Sequence, residues 1–212
     1  MKNPVTDGPK MKSWFKKIHS PQNCQSPILS RVPGSRRIML NQYYPEFAEY
    51  YKTCDPETKR WFVTHAKKDW VYCYAGANTG VYSILFSLLS PQGYAYSFER
   101  SSTVKNLRAN INYYKINNVE VVQKTLGKIT GKTNDKNYRI WGRPGERCDV
   151  EFTTLDKFFF ERPVSRLDCI KIDVDSFDLD VLKGSFKTLK KFNPFVVVEL
   201  NHALALRGRS NS

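Results

Sequence analysis

Apolar residues in this chain fall into short runs separated by amphipathic stretches. The run at 70–75 passes through Gly76-Ala77-Asn78-Thr79-Gly80 into a helix-like segment at 79–89 containing VYSILFSLL. A short strand at 94–98, a helix at 101–114 and the strand-like VEVVQ at 119–123 follow. After a polar interval, VEFTT at 150–154 reads as a further strand and TLDKFFFE as a short helix. LDCIKIDV at 167–174 and FVVVEL at 195–200 are strong strand runs, separated by the helix-like DLDVLKGSFKTLKKF. Near-continuous apolar strands that alternate with helices predict an open, largely parallel α/β sheet.

The first third of the chain has a different pattern. Residues 1–37 are basic and rich in proline, glycine and serine without sustained periodicity, so a flexible arm is expected there. Residues 38–68 form a helical extension, in which Asp55 and Pro56 read as an N-cap and first helical position, and 69–212 form the α/β domain. The chain has 212 residues, enough for one substantial core.

A formal charge of +14 suits an anionic surface or nucleic acid as a partner of the arm, where Lys10, Lys12, Lys16 and Lys17 surround Trp14 and Phe15. No nucleic-acid reader motif accompanies that charge. No apolar stretch reaches the length of a membrane span, and the N-terminus lacks the apolar core of a secretory signal. Five scattered cysteines without a CxxC pair predict free thiols in a reducing, cytoplasmic setting rather than zinc. Cys73 and Cys169, inside strand runs, are expected to act as small hydrophobes.

Ligands on open parallel sheets bind beyond the C-terminal strand ends. Two glycines bracketing the first strand-to-helix turn suggest close approach of the backbone to a ligand. Glu99 ends the next strand 19 residues after Gly80, a spacing that fits a carboxylate accepting from both hydroxyls of a ribose. The turn is neither G-x-G-x-x-G nor G-x-x-x-x-G-K-[ST], so a nucleoside cofactor without a pyrophosphate, such as S-adenosylmethionine, suits it best. Asp173, Asp175, Asp178 and Asp180 crowd a later strand end. Strand alternation and the helix dipole account for them, and no metal is expected. His19 and His65 read as structural, and Tyr138 and Trp141 as candidates for a lid over the substrate.

GANTG with its preceding strand, YAYSFER, KNLRANINYYKINNVEVV and IKIDVDSFDLDVLKGSFKTLKKFNPFVVVEL together resemble the FkbM family of S-adenosylmethionine-dependent methyltransferases. The resemblance implies a Rossmann-like, mostly parallel methyltransferase sheet. It also implies transfer of methyl groups to hydroxyls of sugars, glycans or small molecules. Gly76, Ala77, Asn78 and Gly80 match the family's cofactor loop, Glu99 its ribose-binding acid and Asn110 the asparagine of the following helix. Asp173 matches the aspartate of the IKIDVEG block, where Asp175 and Ser176 replace glutamate and glycine. Asp178 matches the acid that follows, and Glu199 the acid closing the next strand.

Tyr74 stands where the family usually has a cofactor-positioning aspartate. Only twelve residues follow Leu200, so the usual C-terminal strand hairpin is expected to be missing, with a partner protein at the uncovered sheet edge. Proton removal from an acceptor hydroxyl would fall to Asp173, with His202 as the competing base and Glu199 beside them. A non-catalytic binding module, and a methyltransferase directed to nucleic-acid ribose or cap, are the alternative functions.

Overall fold

The computed structural model describes residues 26–34, 36–100, 102–138, 144–162, 164–174 and 177–199. It opens with β1 (Ile28–Val32) paired antiparallel to β2 (Arg36–Leu40), Ile28 opposite Leu40. This hairpin lies partly within the stretch expected to be a flexible arm, where Ile28–Val32 and residues 36–37 instead form paired strands. Ile28, Ser30 and Val32 alternate inward along β1, a period-2 signal short enough to be hidden among the flanking basic residues.

A 3₁₀ turn at Pro45–Phe47 leads to α1 (Ala48–Thr53) and α2 (Pro56–His65). Pro56 opens α2 as expected, but Asp55 does not cap it. Its backbone is left-handed at φ 47°, and its carboxylate instead accepts from the Tyr82 hydroxyl at 3.4 Å.

The α/β unit comprises β3 (Val71–Ala75), α3 (Val81–Leu89), β4 (Tyr94–Phe98), α4 (Val104–Tyr113) and β5 (Val119–Val122). Then come β6 (Thr125–Leu126), β7 (Gly131–Tyr138), β8 (Pro144–Thr153), α5 (Leu155–Glu161) and β9 (Cys169–Ile172). It ends with α6 (Asp178–Lys183), α7 (Phe186–Phe192) and β10 (Phe195–Val198). Five parallel strands form the central sheet in the order β10-β9-β3-β4-β5. After β3 the chain runs outward through β4 and β5 and returns to β9 on the other side. The topological switch point therefore lies between β3 and β9, where such sheets bind ligands.

Residues 150–153 do form strand, but within β8 of a separate sheet, β6-β8-β7, and not beside the main strands. The β7–β8 pairing joins polar segments, and such backbone ladders leave no hydropathy signature.

Alternation along β3 divides the core between the two sheet faces. Tyr72 and Tyr74 join Phe62, Tyr82, Phe86, Leu107 and the inner side of the hairpin, and Tyr72 stacks on Phe86 at 4.2 Å. Cys73 and Ala75 face Phe98, Leu155, Phe158, Ile170 and Ile172 on the other side. Cys54, Cys73 and Cys169 are free and buried in the core.

The segment expected as one helix after β9 is broken into α6 and α7 at Gly184-Ser185. A Cβ on Gly184 would lie 2.0 Å from the Gly127 carbonyl oxygen, so glycine lets two backbones meet there. At the far edge, Phe195 and Val196 of β10 are exposed, and Phe195 packs on Trp61 and Trp70 at 5.4 and 5.5 Å. Expectations about the end of the chain fall on residues outside the described ones. No helix among the described residues is long and apolar enough to cross a membrane.

Candidate functional site

The glycine turn continues from β3 and is held by its neighbours through the backbone. Gly76 and Ala77 both donate their N–H to the Phe98 carbonyl, at 3.0 and 2.8 Å, Gly80 donates to Ala77, and Asn78 donates to Glu99 Oε2 at 2.8 Å. Gly76 adopts φ +84°, and a Cβ there would lie 1.8 Å from the backbone oxygen of Asp173. Gly80 adopts φ +99°, where a Cβ would meet Leu107 Cδ1 at 2.7 Å. The close approach that both glycines permit is thus to other parts of the chain: the end of β9 and helix α4.

These hydrogen bonds bear on which ligand the turn can serve. Four of its N–H groups are already committed, so the turn lacks the cradle of free donors that a phosphate or pyrophosphate needs. The half-buried Glu99 carboxylate at the tip of β4 is the turn's anionic neighbour. With its donors committed and a carboxylate beside it, the turn fits a nucleoside that brings hydroxyls better than one that brings a pyrophosphate.

Asn110 is fully buried in α4 and holds the turn from behind. Its Oδ1 accepts from the N–H groups of Asn41 and Gln42 at 2.9 and 3.0 Å, and its Nδ2 donates to the carbonyls of Gln42 and Thr79, both at 2.8 Å. Its position thus serves to tie the N-terminal segment to the glycine turn. Tyr51 of α1 adds a second tie, donating to Asn78 Oδ1 at 3.0 Å.

Beside Gly76, the end of β9 carries a charged cluster. Lys171, only 4% exposed, donates to Asp173 Oδ2 at 2.6 Å, and its Nζ lies 4.8 and 4.5 Å from the ring centroids of Tyr74 and Tyr82. Tyr74 is therefore a core residue under a lysine. Burial pushes the Asp173 carboxyl up, but the Lys171 ammonium and the hydrogen bonds from Glu199 and Lys171 outweigh it and hold Asp173 below its ordinary value. Glu199, at the end of β10, is pushed up to about 9, first by its hydrogen bond to Asp173, then by desolvation and the Asp173 charge.

Glu199 is solvent-exposed, which screens the Coulomb part of this push and leaves the shared proton as its main cause. Such a pair carries one proton between two carboxylates, on the Glu199 side at neutral pH. Tyr50 of α1 lies near enough for Asp173 and Glu199, after burial and Asp55, to raise its phenol well above the ordinary value.

The sequence-predicted residues Gly76, Ala77, Asn78, Gly80, Glu99, Tyr74, Asp173 and Glu199 thus gather at the ends of β3, β4, β9 and β10. His202, Asp175, Ser176, His19 and Trp141, and the side chain of Tyr138, lie outside the described residues. Asp178 Oδ1 accepts from the Val174 N–H at 3.0 Å, and Asp180 pairs with Lys128 at 3.6 Å. His65 stacks on Trp61 at 4.6 Å.

Sequence reasoning passed over Lys171, Tyr50 and Tyr51. Lys171 had a signal, a lone lysine inside an apolar strand two residues before an aspartate and therefore on the same face. The tyrosines of α1 had none. A cavity of about 600 Å³ between the hairpin turn and α2 is lined by none of these residues.

A parallel sheet with a glycine turn and an acid at consecutive strand ends has the architecture of a Rossmann-like methyltransferase. The Methyltransferase FkbM domain matches residues 75–209, well over half of the chain, and the protein belongs to that family. Solved structures similar to it include a precorrin-6y C5,15-methyltransferase from Geobacter metallireducens, with 13% identity over 74% of this chain and 70% of that one at a TM-score of 0.46. Another is a putative rRNA-methylase from Clostridium thermocellum, with 7% identity over 67% and 65% of the two chains and a TM-score of 0.46. A third is a putative methyltransferase from Streptococcus mutans in complex with SAH, with 11% identity over 63% and 62% and a TM-score of 0.39. The chain spans less than two thirds of the length of the last two. No curated protein matches it.

Proposed function

We propose that the protein transfers a methyl group from S-adenosylmethionine to a hydroxyl of a sugar, glycan or small molecule. The observation that carries this reading is the close approach of Gly76 to the backbone of Asp173, which sets the glycine turn directly against the Asp173 carboxylate and its Lys171 partner. Glu99 would hold the ribose hydroxyls, and Gly76 to Gly80 would border the adenosyl group. The bound cofactor supplies an already activated methyl group.

The residues of the chain do the rest. Asp173, kept ionised by Lys171, accepts a hydrogen bond from the hydroxyl and takes its proton as positive charge builds on the attacking oxygen. Glu199, protonated, orients Asp173 from the solvent side, and the Tyr50 phenol stands within electrostatic reach of the pair. His202 is the competing base. The three buried free thiols support a reducing, cytoplasmic setting.

Tyr74 favours a second reading, a non-catalytic binding module, because a buried phenol under Lys171 replaces the acid usual at that position. Incubation with methyl-labelled S-adenosylmethionine and parallel sets of glycans, small alcohols and capped RNA separates these readings. Label on a glycan or small-molecule oxygen is expected. Binding without transfer supports the second reading, and label on RNA alone overturns the proposed acceptor.

A further inference from the structure

Cys54 and Lys59 form a buried pair with no part in the chemistry above. Cys54 directly follows α1, Lys59 lies in the first turn of α2, and the left-handed Asp55 folds one back on the other. Lys59 has no exposed surface. Its Nζ donates to Ser30 Oγ at 3.0 Å and lies 3.2 Å from Cys54 Sγ. No carboxylate pairs with it among the described residues. A buried lysine is ordinarily matched to a carboxylate; this one is aimed at a sulfur and a hydroxyl.

We infer that Cys54 and Lys59 are a site of oxidative cross-linking, at which a hydroperoxide converts the pair into a sulfur–nitrogen bond. In the first step the Cys54 sulfur attacks one peroxide oxygen. The O–O bond breaks, sulfur is oxidised by two electrons to the sulfenic acid, and the second oxygen takes the thiol proton and leaves as water from hydrogen peroxide, or as an alcohol from an alkyl hydroperoxide. In the second step the lone pair of the Lys59 amine attacks that sulfur. The S–O bond breaks and the oxygen departs as water with a proton from the nitrogen, leaving Cys54 Sγ bonded to Lys59 Nζ. Condensation of a sulfenic acid with a nearby nitrogen is established chemistry for backbone nitrogen, and here the amine is already in contact with the sulfur.

Two features of the surroundings favour this course. Sulfenic acids normally proceed to a second thiol or to over-oxidation, whereas the groups that touch the Cys54 sulfur are the Lys59 amine, the Ser30 hydroxyl and the Tyr51 carbonyl, and Cys73 and Cys169 lie on central strands of the sheet. The cavity of about 600 Å³ is bounded by Thr53, Pro56 and Arg60, close in sequence to both partners, and Cys54 itself keeps a small exposed surface of 7%, so an oxidant has to reach the sulfur from this side. Burial pushes the Cys54 thiol above its ordinary value against the opposing effect of Lys59, so the first step is slow and needs excess peroxide. Tyr51 lies on the helix that Cys54 follows and bonds to Asn78 of the cofactor turn, so the link stiffens the support of that turn. The inference does not depend on the methyltransferase reading.

The test treats the full-length protein with millimolar hydrogen peroxide, blocks free thiols without reductant, and maps tryptic peptides by mass spectrometry. The expected product is the peptide Thr53–Arg60, uncut after Lys59, lighter by two hydrogens and restored by a thiol reductant. Lys59→Met should abolish it and leave Cys54 as sulfenic or sulfinic acid, while Cys54→Ser should abolish both. The wild-type map decides the matter even where a variant folds poorly. Oxidised Cys54 beside an unmodified, cleavable Lys59, or no oxidation at Cys54, overturns the inference.

Discussion

Replacing Lys171 by methionine keeps the stem and its packing but removes the buried cation. Breaking a buried ion pair from one side costs about 3–5 kcal/mol. Asp173 is 24% exposed and Lys171 4%, so water reaches the stranded carboxylate and relieves part of that cost. Loss of the contacts with the Tyr74 and Tyr82 rings adds about 1 kcal/mol. The expected destabilisation at pH 7 is about 3 kcal/mol, read as a fall in Tm of about 6–12 °C.

The pair also fixes the pH dependence. Asp173 titrates below its ordinary value of 3.8 in the folded protein, so the stability it contributes is present above 3.8 and is lost as pH falls through the lowered folded value. Without Lys171 the carboxyl loses the main cause of that lowering, and the gap between variant and wild type should narrow as pH falls from 7 toward 4. Adding Asp173→Asn to the variant should restore part of its stability at pH 7, because it removes the unpaired charge. Thermal melts across that range suffice. A Lys171→Met protein as stable as wild type at pH 7, or a gap that does not change with pH, refutes the reasoning.

Other perturbations test neighbouring parts of the account. Gly76→Ala must accommodate both φ +84° and a Cβ placed 1.8 Å from the Asp173 oxygen, so a loss of about 3 kcal/mol or more in chemical denaturation is expected; a neutral substitution would show that the two strand ends do not meet as described. Glu199 is raised from 4.5 to about 9, so its contribution to stability is full below 4.5 and declines as pH rises toward 9. Melts of Glu199→Gln should lack that decline, and an identical pH profile in variant and wild type would count against the shared proton.

The sheet was legible because its central strands are buried on both faces and read as unbroken apolar runs, as VYCYA and CIKI do. Glu99 and Asp173 were legible because polar residues that end such runs have few places to go. The hairpin at 28–40 escaped notice because its inward positions include Ser30 and its outward ones include Leu29 beside Arg31, Arg36 and Arg37, so the alternation is masked by charge. The break between α6 and α7 depends on Gly127, distant in sequence from Gly184, and local periodicity cannot register such a contact. The glycine turn was found for a reason that needs revision. Close approach to a ligand was expected, but the atoms approached are Asp173 O and Leu107 Cδ1. Lys171 was passed over because an apolar strand was read for its pattern, and its one polar interior position was not asked for a partner.

The central claim is that the turn at Gly76–Gly80, closed by Glu99, is a site for S-adenosylmethionine. Calorimetric titration of the wild-type protein and of Glu99→Ala with S-adenosylmethionine tests it most directly. The account predicts saturable binding to the wild type, weakened at least tenfold in the variant, about 1.4 kcal/mol or more. Absence of heat with wild type at millimolar cofactor, or equal affinity in the two proteins, would contradict it.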